Sequence, residues 1–274
     1  MAAPQKSTWW QTLRSRWFAD PATLGGGRDT GEPRSSNGAS SFHLRWDLYS
    51  EFDEISVVLE VVEPPTVDRL YFWALQADFS DAAGRSAGGA HLGLQWHPEY
   101  PGGTAVNWGG YDARGGILHG SGSPLPSSLG NPHTHDFPWL PHRAYRLTVA
   151  RTAESGPRGG PGWSGSVTDL ETGLTTVVRE LYPDGDRISG VVMWSEVFAR
   201  CDHPSAAVRW SAPQARTLDG IVVEPAAVLL NYQTPADGGC SNTSSDADGT
   251  GVVQRTNTVR THQTGTRLGL PAAG

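Results

Sequence analysis

The chain has 274 residues, a formal net charge of −7, 34 Gly and 20 Pro, and only 18% charged residues. Helical bundles and coiled coils are disfavoured, since Gly and Pro are the poorest helix formers and coiled coils carry far more charge. Lys6 is the sole lysine, so Schiff-base and phosphate-loop lysine chemistry are excluded from the body of the chain, and no basic run offers a nucleic-acid surface.

Residues 1–41 read as a tryptophan-rich segment and a linker. Within it STWWQTLRSRWF (7–18) has the spacing of a short helix or strand, and 20–41 is a Gly/Ser/Pro loop. From residue 42 the pattern turns to period two. Phe42, Leu44, Trp46 and Leu48 share one face, and Ile55, Val57, Leu59 and Val61 share another. The run 69–79 is apolar on both faces, and 90–97 alternates again. Further strands are expected at 104–108, 145–150, 163–169, 174–181, 188–198, 206–210, 220–231 and 251–260, separated by Gly/Pro turns. Residues 112–143 lack a period and read as a surface excursion, and 261–274 as a flexible tail. The expected fold is an all-β jelly-roll sandwich of two antiparallel sheets over residues 42–260.

The segments YFWALQADF, GGAHLGLQWHP, AVNWGGYD, PHRAYRLTVAR and GVVMWSEVF follow one another in a telling order. The order resembles that of a bacterial domain-of-unknown-function family with a concanavalin A-like lectin and glucanase jelly roll. The matching positions are Gly93, Leu94 and Gln95; Trp108; Tyr145, Leu147 and Val149; and Trp194, Ser195 and Glu196. The resemblance spans roughly residues 67–215 and implies the concanavalin-like sandwich, but no activity.

Aromatic faces with amide and carboxylate neighbours suit sugars, because Trp and Tyr pair an apolar body with a polar tip. Trp73, Gln95, Asn107, Trp108, Tyr111 and Glu196 are therefore the expected ligand-binding set. The predicted function is a non-catalytic carbohydrate-binding module with a glycan partner. One alternative is a polysaccharide-active enzyme using Glu196, which needs a second carboxylate within about 10 Å. The other is a protein-interaction or assembly domain that docks through the tryptophan-rich N-terminus. Glu196 lies in an apolar run, so it must find a partner, an arginine being the plainest, or shift its pKa upward. Glu51, Asp53 and Glu54 form an incomplete acidic strand motif and read as a solvated face.

No cofactor is expected. His133, His135 and Asp136, with His119 or His142, are weighed as a zinc site and read as a polar loop. Asp237, Asn242, Asp246 and Asp248 are weighed as a calcium loop and read as turn chemistry. Cys201 and Cys240 read first as free thiols, with a single disulfide as the alternative. No run of 18 apolar residues offers a membrane span. No signal peptide is visible, so the chain as written reads as cytoplasmic, and as exported only if translation starts elsewhere.

Overall fold

A computed structural model describes residues 28–157 and 159–271. The helix or strand expected at 7–18 lies outside them. Among the described residues the chain forms sixteen strands and three short 3-10 turns. The strands divide into two antiparallel layers, the sandwich expected from the alternation.

The front layer runs in the order β16 (Arg267–Gly269), β13 (Ala227–Tyr232), β1 (Ser40–Trp46), β10 (Arg187–Val197), β3 (Tyr71–Ser80), β4 (Ser86–Trp96), β5 (Thr104–Tyr111) and β6 (Thr134–Asp136). The back layer runs β14 (Ser244–Ala247), β15 (Val252–Arg255), β11 (Ala207–Thr217), β2 (Phe52–Glu63), β7 (Ala144–Ser155), β8 (Pro161–Asp169) and β9 (Thr175–Leu181). The short β12 (Val222–Val223) pairs with β11. One backbone pairing, Ile188 opposite Phe52, links strands of the two layers.

The period-two pattern decides which side chains meet between the layers. Phe42, Leu44 and Trp46 of β1, Trp73 and Leu75 of β3, and Val106 and Trp108 of β5 all point inward and are essentially sealed. Their sequence neighbours point to the outer face. On β10 the inward set is Val191, Met193, Ser195 and Val197, which leaves Val192, Trp194 and Glu196 outward.

Two stretches contribute more than the sequence suggested. Residues 112–143 place Leu118 and Trp139 in the core and supply β6. The chain also pairs beyond residue 260, where β16 lies against β13 and buries Leu268. The strands in these stretches, three residues each, are too short to show a period, and Gly and Pro interrupt their surroundings. The acidic residues 51–54 are ion-paired: Glu51 with Arg187, and Asp53 and Glu54 with Arg216.

Cys201 and Cys240 are joined in a disulfide, which corrects the reading of two free thiols. A bond across 39 residues stabilises by about 4 kcal/mol in the chain-entropy account. Two lone cysteines far apart in sequence carry no spacing signal, because only the fold brings the end of β10 to the start of β14.

One polar network crosses the core. Gln254 accepts from Ser195 Oγ at 2.8 Å and from Trp210 Nε1 at 2.9 Å, and its own Nε2 donates to the Phe42 carbonyl at 2.9 Å. It ties β15 and β11 to β1 and β10 directly behind Glu196. Gln254→Leu strands the Ser195 hydroxyl and the Trp210 N–H without partners, at about 1–3 kcal/mol each. Urea unfolding should show a loss of about 3 kcal/mol; a change under 0.5 kcal/mol would mean that the network is energetically idle.

Candidate functional site

The outer face of the front layer carries a polar and aromatic surface. Because the register is antiparallel throughout, its rows can be read straight across. One row runs Ser41, Glu196, Phe72, Gln95, Ala105 and Asp136. The next runs Asn231, His43, Trp194, Ala74, Gly93, Asn107 and Thr134.

This placement divides the predicted ligand set. Gln95, Asn107, Tyr111 and Glu196 share the outer face. Trp73 and Trp108 point the other way, at 2% and 0% exposure. The indole N–H of Trp108 donates to the Trp163 carbonyl across the sandwich. Both tryptophans are core, because an odd offset along a strand puts a side chain on the opposite face. Asn107 donates to Thr134 Oγ1 at 2.9 Å.

Glu196 is the chemically unusual group. It is 9% exposed, and no arginine among the described residues pairs with it. Asn37 Nδ2 donates to its Oε1 at 2.9 Å. Burial raises its pKa to about 7, against smaller lowering contributions from Asn37 and Ser41. Asn37 is itself held. Its Oδ1 accepts from Ser35 Oγ and from the Ala39 N–H, which aims the amide nitrogen at the carboxyl.

The loop that carries Asn37 is tied down beside the disulfide. The Cys201 N–H donates to the Gly31 carbonyl and the Arg34 N–H to the Gly238 carbonyl, and the Cys240 N–H donates to Ser40 Oγ. Gly238 is required there. It sits at φ +85°, and a Cβ on it would stand 2.1 Å from the Ser35 nitrogen.

Gln95 lies two strands from Glu196, with Phe72 on the strand between. That separation is about 10 Å between Cα atoms, room for one small reacting group between two long side chains. Tyr100 donates its hydroxyl to Gln95 Oε1 at 2.8 Å. Burial pushes that phenol up to about 12, so it stays a donor and fixes the oxygen end of the Gln95 amide.

Aromatic rings flank the pair. Phe72 and Trp194 meet edge to face at 4.8 Å, and His91 packs on both rings. Trp194 Nε1 donates to Gln76. Burial holds His43 down at about 4 and His91 at about 3, so both are neutral near pH 7. Sequence reasoning missed Asn37, Phe72 and Trp194 as neighbours of Glu196, and Tyr100 as the partner of Gln95. Only the register of β3 against β10 reveals Phe72, and Asn37 comes from a loop without period.

The metal sets weighed from the sequence do not assemble among the described residues. His133 lies against Gly109 on the outer face, whereas His135 is level with inward-facing Val106. Asp246 bonds Ser244, Thr261 and His262, and Asp248 bonds Arg209 and Thr250, which is turn and ion-pair chemistry. No group of three or more His, Cys, Asp or Glu among the described residues is arranged to hold a metal ion.

No protein-family model matches the chain, and no curated protein does. Solved structures do. A scytalidoglutamic peptidase bound to a peptide-based transition-state analogue aligns at 12% identity and TM-score 0.47. The same type of peptidase with a transition-state analogue inhibitor aligns at 14% and 0.49. SCP-B, an eqolisin-family peptidase in complex with the tripeptide Ala-Ile-His, aligns at 11% and 0.47. Each alignment covers 80% of this chain and 98% of the other.

The glycan-binding module expected from sequence is corrected by the structure itself, because the two tryptophans that were to stack on a sugar, Trp73 and Trp108, are core. The polysaccharide-active alternative is corrected as well. On the strands of this face the other carboxylates are Asp78, six residues along β3 from the Glu196 row, and Asp136, four strands across. Both separations come to about 20 Å, too far for a glycosidase pair. The interaction-domain reading rested on the tryptophan-rich segment, outside the described residues.

The raised pKa of Glu196 links stability to pH. The fold favours its neutral form, so this contribution is complete below the ordinary value of 4.5 and is lost as pH rises through about 7. The loss is worth about 3 kcal/mol. His43 and His91 act oppositely, stabilising above about 6.5 and losing that contribution as pH falls. The test is therefore a difference. Between pH 4 and 8 the stability of E196Q relative to wild type should rise by about 3 kcal/mol; a flat difference would place the Glu196 pKa at its unfolded value.

Proposed function

We propose that Glu196 and Gln95 form a hydrolytic acyl-transfer site acting on a peptide bond. The observation that carries this reading is a buried carboxyl with a pKa near 7, facing an oriented carboxamide across one strand. A carboxyl tuned toward neutrality is a competent proton acceptor and donor at physiological pH. A side-chain amide N–H is the donor type that stabilises a tetrahedral oxyanion. One carboxyl and one carboxamide thus match acyl chemistry better than the carboxyl pair of glycoside hydrolysis.

In the proposed reaction the Glu196 carboxylate takes a proton from water as the oxygen attacks the substrate carbonyl. The carbonyl oxygen gains the electron pair and is held by the Gln95 amide N–H. Glu196 returns the proton to the leaving amine as the C–N bond breaks. Phe72, between the two groups, would pack on the substrate. Peptides are the acyl substrates to test first, since the peptidases similar in fold were crystallised with a peptide-based analogue and a tripeptide. The disulfide fits an oxidising compartment, where we propose the protein works.

Incubation with a peptide library, read by mass spectrometry from pH 4 to 9, tests the reading. E196Q should lose at least about 10²-fold in kcat/KM and Gln95→Ala about 10²–10³-fold, both with a cooperative unfolding transition retained. Activity should rise with pH through about 7, and Asn37→Ala should move that limb to higher pH by removing a donor to the carboxylate. No cleavage by the wild type at any pH, or equal cleavage by E196Q, would overturn the proposal.

A further inference from the structure

Among the described residues two arginines are almost sealed, Arg260 at 5% and Arg179 at 7% exposure. They are treated differently. Arg260 spends its donors: Nε on the Thr243 carbonyl, Nη2 on the Cys240 carbonyl and Thr243 Oγ1. The Tyr232 ring lies 4.0 Å under its guanidinium. Arg179, on edge strand β9, uses only Nη1, which donates to the Pro132 carbonyl and meets His133 Nδ1 at 3.3 Å. Its Nε is buried with no partner, and no carboxylate among the described residues pairs with it. Burying a guanidinium without a counterion or a full set of acceptors is costly.

The unused edge has a known appetite in this same molecule. Arg200 grips the two oxygens of Asp202 with Nε and Nη2, both at 3.1 Å. Arg187 holds Asp186 through the same two nitrogens. That fork matches a carboxylate or a phosphate in a bidentate manner. A cavity lies close by, on the far side of Gly120, without Arg179 itself in its lining. Gly120 lies so close to Arg179 that a Cβ on it would stand 2.3 Å from Nη2. Gly120 also lines this cavity of about 420 Å³, with His119, Gly156, Gly160, Tyr182 and Asp184. A single glycine therefore separates the guanidinium from that space.

We propose that Arg179 is the centre of an oxyanion-binding site, taking a carboxylate or a tetrahedral anion on its Nε–Nη2 edge through the cavity beside Gly120. His133, on the Nη1 side of the same guanidinium, reports its charge. Burial and the Arg179 charge hold His133 at about 4, so its ring is neutral while the site is empty. An arriving anion offsets the guanidinium and lets the imidazole protonate. The inference stands apart from the Glu196 reading and survives its failure.

The test uses thermal unfolding of the full chain in sodium sulfate, sodium phosphate and N-acetylglycine, against sodium chloride at matched ionic strength. Wild type should gain a saturating rise in Tm, as expected for a ligand that binds the native state alone. Arg179→Met should gain none, and should match or exceed the wild-type Tm in chloride, since it removes an uncompensated buried charge. A response to N-acetylglycine alone identifies a peptide-type carboxylate; a response to sulfate and phosphate identifies a tetrahedral anion. Equal rises in both proteins, or an R179M protein several degrees less stable in chloride, would overturn the site and make Arg179 an anchor for Pro132. As a measurement on intact wild type, the His133 ring titration followed by NMR should move upward by at least one pH unit in saturating anion. An unmoved titration would equally overturn the proposal.

Discussion

A carboxylic acid buried in a β-sheet face, with no arginine partner among the described residues, is the constraint on which this site depends. Taking a carboxylate out of water costs far more than most folds can supply, so the group shifts its pKa until the neutral form is tolerable. Glu196 does this with one amide donor and one hydroxyl as compensation. The result is a proton carrier set near neutrality by burial rather than by a partner ion.

Holding that compensation in place requires structure at a distance. Asn37 reaches Glu196 only because its own oxygen is pinned by Ser35 and Ala39. Its loop in turn lies against Gly238 and the strand ends that the disulfide joins. Behind the carboxyl, Gln254 fixes Ser195, the next residue along β10. The unusual chemistry of one side chain is thus bracketed on both faces of its strand by satisfied hydrogen bonds. Such preorganisation lets a site act without reorganising its dipoles.

Much of the architecture was legible in the sequence because strands buried on one face announce themselves through alternation. The runs at 42–48 and 55–61 identified their inward sets, and 188–198 was legible as a strand. Alternation also contained the error about the tryptophans. Trp73 and Trp108 share a parity with Leu75 and Val106, both core, whereas Gln95, Asn107 and Glu196 carry the opposite parity. Aromatic character suggested a ligand platform, and position in the pleat decided against it. The tension at Glu196, a carboxylate within an apolar run, was visible from residues alone.

What remained hidden is long-range or aperiodic. No local signal places Phe72 between Glu196 and Gln95, since that depends on β3 inserting between β10 and β4. Nothing in residues 28–39 marks Asn37 as a cap, and nothing around Cys201 points to Cys240. The glycines of 112–122 read as a loop, yet Gly120 is what gives Arg179 its room.

The protonation state of Glu196 is the quantity from which the rest follows. Its side-chain carboxyl ¹³C shift, assigned by comparison with E196Q and titrated from pH 3 to 9 in the folded protein, reads it directly. The account predicts a single transition at about 7. A transition at the ordinary glutamate value of 4.5 would contradict it, because a carboxyl that ionises as it does in water is not buried in this way.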